Sequence, residues 1–315
     1  MVRYLLKRLG TSLIVVIGIS IVVFVLLHFM AGAPGRSVLG PTASADAVDA
    51  FNKEHGFDQP LAVQYLSYVS DLLRGNLGQS FKLNQSVSDL LSDNAARSAM
   101  LSLAALVLAV IVAIPLGTYQ ATKRNSASDT VLTGVTFLLY ASPQFFVALL
   151  AIEIFSIKLG IFPSQASQSN SPFVIFTDPV AMALPVLTLA ASNIAIFARY
   201  QRSSTLDQLG LDYIKVARAK GVSERGIIRN HLVRNSSLPL ITLIGVSVPS
   251  LLAGNLIVES VFNYPGLGLL FINSLQREDY PVLLAYTLIG GVLTVLGNLI
   301  ADVVLAAADP RIKLS

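Results

Sequence analysis

The sequence predicts an all-α integral membrane protein with six transmembrane helices. Of its 315 residues, 54% are hydrophobic and only 13% are charged, which is about half the charged fraction of a soluble domain. Six nearly charge-free stretches divide the chain. Each is long enough to cross a hydrocarbon core of ~30 Å as a helix that rises about 1.5 Å per residue. The segments with an excess of basic residues fall on one side when six helices alternate across the membrane, whereas the large loop at 31–97 on the other side has five basic and seven acidic residues.

The six predicted spans follow the charge-free stretches in order: residues 10–30, 98–122, 131–157, 180–198, 236–258 and 281–308. Three basic residues precede the first stretch, as they would in a secretory signal peptide. However, a signal peptide has an apolar core of roughly 7–15 residues, and the run here is about 20 residues long. We therefore expect the first helix to be retained in the membrane.

Basic residues near the ends of the spans predict the orientation, because cytoplasmic loops carry an excess of Lys and Arg. An excess of basic residues lies before the first span, after the second, after the fourth and after the sixth: Arg3, Lys7, Arg8, Lys123, Arg124, eight residues between 199 and 234, Arg311 and Lys313. Both termini are therefore predicted to be cytoplasmic. The expected layout is residues 1–30 (N-terminus and first span), 31–97 (extracytoplasmic loop), 98–308 (five-helix core with a cytoplasmic loop at 199–235) and 309–315 (cytoplasmic tail).

Residues 31–97 form the largest segment outside the predicted spans. Apolar residues in "GFDQPLAVQYLSYVSDLLRGNLGQSF" recur at the spacing of a short amphipathic helix that begins at Pro60. The glycines of "RGNLG" then end it. Two interpretations of this loop stay open: a lid on the helical bundle, and a docking or gating element for an external partner.

We call residues 199–235 the basic loop. The segment from Arg199 to Arg234 has eight basic and three acidic residues. Its first part, "SSTLDQLGLDYIKVARAK" at 203–220, predicts a helix that ends at Gly221. Ser223 is placed to cap a second helix, with Glu224 in the first turn. A loop that only contacts anionic lipid would account for the charge. A docking element for a soluble cytoplasmic partner accounts for the charge, the two helices and the glycine between them.

Ionisable and polar residues inside apolar segments are candidates for functional sites. Glu259, at the end of the fifth span, is a candidate for a substrate or gate contact, or for a cap on a turn. Asn255 is a candidate for a pathway-lining residue or for a hydrogen bond between helices. Asp302 is expected to pair with Arg311 or a loop arginine, and Glu153 to pair with Lys158 or to lie at the outer edge.

Several functions are not expected of this chain. It has no G-x-x-x-x-G-K-[ST] motif for ATP and no cysteine, and its three histidines are scattered rather than spaced as metal ligands. We see no Ser-His-Asp or paired-carboxylate arrangement for catalysis. The basic charge lies at a predicted inner membrane surface without the aromatic interleaving of a nucleic-acid site. A secondary transporter would need coupling charges and repeat symmetry, and neither is evident.

The basic loop resembles the cytoplasmic loop of ATP-binding-cassette (ABC) importer permeases. "DYIKVARAKGVSERGIIRNHLVRNSSLP" is similar to their pattern E-A-A-x(3)-G, which is followed after about nine residues by I-x-L-P. Gly221 and Ala217 match, whereas Lys215 and Val216 replace the Glu and the first Ala. The peptide/nickel branch of the family usually has Y-I-x-x-A-R-A-K-G-x-S. The stretches "YASPQFFVALLAIEIFSIKLGIFP", "GNLIVESVFNYPGLGLLFINSLQREDYPVLLAYTLI" and "NLIADVVLAAADPRIKLS" extend the resemblance to the B-type permease of dipeptide/oligopeptide importers.

This resemblance implies the fold of an ABC type I importer permease in a bacterial cytoplasmic membrane. It implies a second homologous permease, two cytoplasmic ATPases that bind ATP and Mg, and an external binding protein. The substrate would be a short peptide, with nickel or another small solute as the alternative. The residues that it assigns to ATPase coupling are Asp212, Tyr213, Ile214, Ala217, Arg218, Ala219, Lys220, Gly221, Ser223 and Glu224.

Overall fold

Helices occupy much of each predicted span, but two of the spans contain non-helical residues that the pattern did not predict, Ser142 in the third and Asn255 in the fifth. We describe them in a computed structural model, which places residues 2–31, 34–40, 42–252 and 255–308. Within these ranges the only β pairing is an isolated bridge between Gln79 and Ser86. The predicted tail at 309–315 and the predicted partner Arg311 lie outside the described residues, as does the side chain of Asp302.

The helices, in chain order, are α1 (Val2–Ala31), α2 (Pro34–Leu39), α3 (Ala45–Glu54), α4 (Leu61–Leu73), α5 (Val87–Thr122), α6 (Ala127–Ala141), α7 (Gln144–Ala151), α8 (Val174–Thr177), α9 (Pro179–Leu209), α10 (Asp212–Ala219), α11 (Glu224–Gly226), α12 (Val233–Ser236), α13 (Leu238–Leu252), α14 (Leu256–Val261), α15 (Leu267–Gln276) and α16 (Tyr280–Ala308). Two π-helical segments accompany them, Ile152–Lys158 after α7 and Ile227–Leu232 after α11.

Two helices of the described chain, α5 and α9, are long and apolar enough to cross a membrane. The pair formed by α6 and α7 makes a third span if its two bent halves count as one. Shorter apolar helical stretches occur at 10–26, 267–276 and 280–295 among the described residues. The all-α character is therefore confirmed, whereas the count of six spans stays a prediction.

The third predicted span, residues 131–157, was expected to be one helix and is instead broken. The chain leaves the helix at Ser142, whose backbone is extended (φ −77°, ψ 134°). Helix α6 meets the segment Gln144–Lys158, which consists of α7 and the π-helical segment after it, at an angle of 111°. Pro143 explains the break, because a proline disfavours the helical conformation in the residue before it and lacks an N–H to continue the ladder.

The centre of the bundle is the packing of α5 against α9. Its buried side chains are small or aliphatic, with one phenylalanine: Leu101, Ala105, Ala109, Ala113, Leu184, Ala190, Phe197 and Ala198. Gly117 allows the closest approach, because a Cβ there would lie 2.8 Å from the Cβ of Gln201. Small residues at such interfaces let two helix backbones come together in the membrane. Helix α16 packs on α1 and α13 to complete the described bundle.

The first loop contains the predicted amphipathic helix. Helix α4 begins directly after Pro60 and ends before Gly75, whose φ is +79°. An aromatic cluster of Phe51, His55, Phe57 and Phe81 borders a cavity of about 740 Å³ between this loop and the start of α16. The Ser80 hydroxyl donates to the buried carboxylate of Asp279, which holds the loop against α16.

Candidate functional sites

The predicted helix at 203–220 is divided into two helices. Helix α9 continues out of the core to Leu209 and is capped by Gly210. Leu211 is extended (φ −77°, ψ 150°), and α10 then begins at Asp212. The prediction of one helix over 203–220 puts Gly210 in its interior. Glycine is a poor interior residue, and here it ends the long helix so that α10 becomes a separate element.

The predicted turn after α10 is confirmed. Gly221 has φ +77°, and a Cβ added there would have no heavy atom within 4 Å. The position thus requires glycine for its backbone conformation rather than for space. Ser223 accepts a hydrogen bond from the Gly226 N–H at 3.3 Å and so caps the next helix as predicted. The Arg218 guanidinium donates to Glu224 across the turn at 2.8 Å.

The charges at this turn stabilise each other. The hydrogen bond from Arg218 lowers the pKa of the Glu224 carboxyl below its usual range, and the carboxylate in turn raises the pKa of Arg218. Both side chains are exposed, so the surrounding solvent screens the pair. The turn nevertheless keeps both charges at ordinary pH.

Helix α10 has a buried face and an exposed face. Ile214 and Ala217 pack against Ile227 and Leu232 in a small apolar cluster within the basic loop. The half-buried Tyr213 donates its hydroxyl to the Gln208 side chain at 2.8 Å. The remaining predicted coupling residues are exposed together on the surface of the loop: Asp212, Arg218, Ala219, Lys220, Gly221, Ser223 and Glu224. Ile214 and Ala217 therefore hold the helix in place, while the other residues form a free surface.

The carboxylate of Glu259 is fully buried and joins three elements. One oxygen accepts hydrogen bonds from the Ser98 hydroxyl of α5 at 2.7 Å and from the Asn255 N–H at 3.0 Å. The other oxygen accepts from the Gly268 N–H of α15 at 2.6 Å. Because helix N-termini favour negative charge, the first turns of α14 and α15 both stabilise this carboxylate. We call these residues, with Ser102, the Glu259 cluster.

Asn255 belongs to the same cluster. Its side-chain amide donates to the Ser102 hydroxyl of α5 at 2.6 Å. The structure thus brings together Asn255 and Glu259, the two residues that the sequence analysis selected as candidates for a pathway or gate. It also supplies the hydrogen bond between helices that was the alternative for Asn255.

The glycines of "NYPGLG" make room for the Glu259 cluster. A Cβ at Gly266 would overlap the Glu259 carboxylate and the Ser98 hydroxyl. A Cβ at Gly268 would lie 2.6 Å from the Cα of Leu256. Side chains at these positions would displace the carboxylate or separate α14 from α15. The motif is therefore explained by packing around one buried charge.

Sequence reasoning missed Arg97 and Ser98, which lie at the border of the predicted second span. The Arg97 guanidinium is almost fully buried and donates to the side chains of Asn94 and Asn170 at 3.1 and 2.8 Å. The buried Tyr264 hydroxyl donates to the Arg97 carbonyl oxygen at 3.2 Å. Tyr264 belongs to the "NYPGLG" motif, five residues after Glu259. The sequence signal for Arg97 and Ser98 was that polar side chains stand at the border of an apolar stretch.

Two further contacts concern the remaining candidates. The expected pair of Glu153 and Lys158 is present at 3.4 Å, with both side chains exposed. Asp129 and Arg202 form a two-point ion pair at 3.0 and 3.1 Å, which links α6 to α9. The sequence analysis did not predict this second pair, because 73 residues separate its members.

The bundle of apolar helices, with candidate membrane spans among the described residues, indicates a membrane protein. Residues 113–314 match the family described as binding-protein-dependent transport system inner membrane component, and residues 1–104 match its N-terminal counterpart. The chain belongs to this family and is a multi-pass inner-membrane protein. The resemblance to ABC importer permeases is confirmed.

Relatives match over the whole chain. The oligopeptide transport system permease protein AppB of Bacillus subtilis is 36% identical over 315 residues, which cover 99% of this chain and 100% of the relative. The glutathione transport system permease protein GsiC of Escherichia coli K12 is 34% identical over 313 residues, which cover 99% of each chain. A solved inward-facing structure of the MetNI methionine ABC transporter matches with a TM-score of 0.52 at 16% identity, over 70% of this chain and 96% of that one. This last likeness confirms the type I permease fold.

Proposed function

We propose that this chain is the membrane-spanning permease subunit of an ATP-driven importer that carries short peptides into the cell. The observation that supports this substrate is the similarity over 99% of the chain to permeases named for oligopeptide and glutathione transport. Both names denote peptides, so they favour a peptide over the alternative, nickel or another small solute. Catalysis is assigned to partner subunits, which bind ATP and Mg.

The exposed surface of α10 and the Gly221 turn is proposed to dock on a cytoplasmic ATPase. It presents basic and acidic side chains close together, with Lys215 donating to Asp212 at 2.9 Å and Arg218 to Glu224 at 2.8 Å. The apolar cluster beneath it, formed by Ile214 and its neighbours, fixes its position in the loop. Closure of the ATPases would therefore move α10 as a rigid piece.

The Glu259 cluster is proposed to set the outer gate. It fixes the hairpin of α14 and α15 against α5, at the end of the bundle opposite the basic loop in the predicted topology. The remaining partners in this proposal are a second homologous permease, two ATPases, an external binding protein and membrane lipid. Both termini are proposed to be cytoplasmic, in line with the distribution of basic residues.

The first experiment measures ATP hydrolysis by the complete complex in proteoliposomes. The binding protein is supplied empty or loaded with dipeptides, longer peptides or nickel in turn. Stimulation by loaded peptide, with peptide accumulating inside the vesicles, is the expected result. Stimulation by nickel alone would overturn the substrate but keep the permease, and failure of any ATPase to co-purify would contradict the proposed assembly.

A further inference from the structure

A fully buried glutamine on α9 joins three parts of the bundle. The side-chain amide nitrogen of Gln201 has two N–H groups, which donate to the hydroxyls of Ser236 at 2.9 Å and Thr118 at 3.2 Å. The Thr205 hydroxyl, at 3.4 Å, can only share one of these hydrogens. Its amide oxygen accepts from the Ser237 hydroxyl at 3.3 Å. Gln201, Thr205 and Ser236 have no exposed surface. We call these five residues the Gln201 clamp.

The Gln201 clamp lies at the base of the basic loop. Gln201 is about two helical turns before the end of α9, where the chain departs for α10. Ser236 and Ser237 lie where the chain returns, immediately before α13. Thr118 belongs to α5, which is not part of the loop. One amide therefore ties the departing limb to the returning limb and ties both to a core helix.

Helix α10 itself has few ways to act on the core. Its buried side chains, Ile214 and Ala217, pack on Ile227 and Leu232, which belong to the same loop. Through these described contacts, a displacement of α10 reaches the core by way of the two limbs of the loop. A π-helical segment, Ile227–Leu232, lies between α10 and the returning limb. If the two limbs could slide past each other, their relative movement would absorb the displacement of α10.

We propose that Gln201 is a positioning residue for transport, which makes the two limbs move as one body and passes the movement of α10 to α5 and α13. This inference rests on the proposed coupling role of the basic loop. Arg202 supports the same limb from the next position, with its two hydrogen bonds to Asp129 of α6. The departing limb is thus attached to α5 and α6 as well as to the returning limb.

The amide group, rather than the size of the side chain, is what the clamp requires. A leucine at 201 would fill a similar volume and leave the hydroxyls to bond within their own helices, as the Ser236 hydroxyl already does weakly with the Val233 carbonyl at 3.5 Å. Gln201→Leu should therefore preserve folding while it releases the limbs from each other. Gln120→Leu is a matched control. Gln120 is likewise a buried glutamine, but it lies on α5 and donates to Thr133 of α6 at 3.2 Å rather than to a limb of the loop.

The test compares peptide uptake with ATP hydrolysis in proteoliposomes that contain the complete complex and its loaded binding protein. For Gln201→Leu we expect hydrolysis within about twofold of the wild type and uptake per ATP hydrolysed lower by about tenfold, a typical size for a coupling between two sites. Gln120→Leu should leave both quantities within about twofold. Ser236→Ala should lower the ratio in the same direction, and the double variant should lower it less than additively, because both changes break the same contact.

An unchanged ratio in Gln201→Leu would overturn the proposal, and so would a parallel fall in uptake and hydrolysis, which indicates a structural role only. If Gln201→Leu does not assemble, Ser236→Ala and Thr118→Val decide: a lower ratio supports the clamp, and a normal ratio refutes it. Gly221→Pro separates this inference from the proposed function. If Gly221→Pro couples normally, the role of the loop fails; if it uncouples while Gln201→Leu does not, only the clamp fails.

Discussion

The carboxylate of Glu259 is buried, and each of its oxygens accepts hydrogen bonds from the protein. A glutamine has the same shape but replaces one acceptor oxygen with an N–H donor. In Glu259→Gln, that donor must face either the Asn255 N–H and Ser98 hydroxyl or the Gly268 N–H. Leaving a buried donor unsatisfied costs about 1–3 kcal/mol. We expect a lower melting temperature of the purified complex in detergent.

Glu153→Gln provides the control for this measurement, because the Glu153 and Lys158 side chains of the pair described above are both exposed rather than buried. Its melting temperature should match that of the wild type. A Glu259→Gln complex that melts normally but has lost transport would contradict the structural role, and would instead indicate that the carboxylate contacts the substrate.

The Asp279 carboxyl lies between α15 and α16, and we expect it to make the stability of the folded protein depend on pH. Burial raises its pKa above the usual range, and hydrogen bonds from Ser80 and the Phe81 N–H only partly oppose this shift. Since the pKa is higher in the folded than in the unfolded protein, the carboxyl contributes its full stability below its ordinary pKa of about 4. This contribution is lost as the pH rises through the raised pKa.

The measurement is the melting temperature of the complex as the pH is raised from the ordinary carboxyl pKa of about 4. Wild type should lose stability relative to Asp279→Asn as the pH rises, because the asparagine stays neutral. The exposed neighbour offers the control Glu278→Gln, which should follow the wild type. Equal pH dependence in wild type and Asp279→Asn would show that Asp279 is not responsible.

At the scale of the element, the turn after α10 depends on the backbone of Gly221. A positive φ costs a non-glycine residue roughly 1–2 kcal/mol, asparagine less than others, and proline cannot adopt it. Because the position has open space, the effect of a substitution should follow this conformational order. We expect uptake per ATP to decrease in the order Gly221→Asn, Gly221→Ala, Gly221→Pro, with membrane insertion unchanged.

Gly210 gives the matched control for this series, because it lies in the same loop with φ −80° and meets only the Asp207 carbonyl oxygen at 3.8 Å from an added Cβ. Gly210→Ala should leave coupling intact. If Gly221→Pro also transports normally, the turn does not participate in coupling. If Gly210→Ala disrupts coupling to the same degree, the loop is sensitive to any change and the conformational argument fails.

Elements set by local chemistry were predictable from the sequence, and those set by distant contacts were not. Ser223 and Gly221 act on their immediate neighbours, so their cap and turn could be read directly. The break at Pro143 had a local signal, but the apolar run around it indicated one continuous span. The partners of Glu259 and Gln201 are 161 and 83 residues away on α5. No periodicity within a single sequence reports such pairings.

At the scale of the whole molecule, α5 connects the two sites. Ser98 and Ser102, near its start, contact the Glu259 cluster, and Thr118, near its end, contacts Gln201. From Ser98 to Thr118 the helix rises about 30 Å, close to the thickness of the hydrocarbon core. A displacement at the basic loop can therefore reach the Glu259 cluster through one helix, provided that the two sites lie on opposite sides of the membrane.

This topology can be tested directly, because the chain contains no cysteine. Single cysteines are introduced by Asp58→Cys, Ser169→Cys, Ser126→Cys and Ser223→Cys, one in each of four connecting segments. Six alternating spans place positions 58 and 169 outside and positions 126 and 223 in the cytoplasm. In intact cells, a membrane-impermeant maleimide should label only the first two, and all four should react after the membrane is permeabilised.

Labelling at 223 from outside would invert the basic loop and remove it from the ATPases. Labelling at both 126 and 169 from outside would mean that the bent pair α6 and α7 enters and leaves the same face, so that the chain has fewer than six spans.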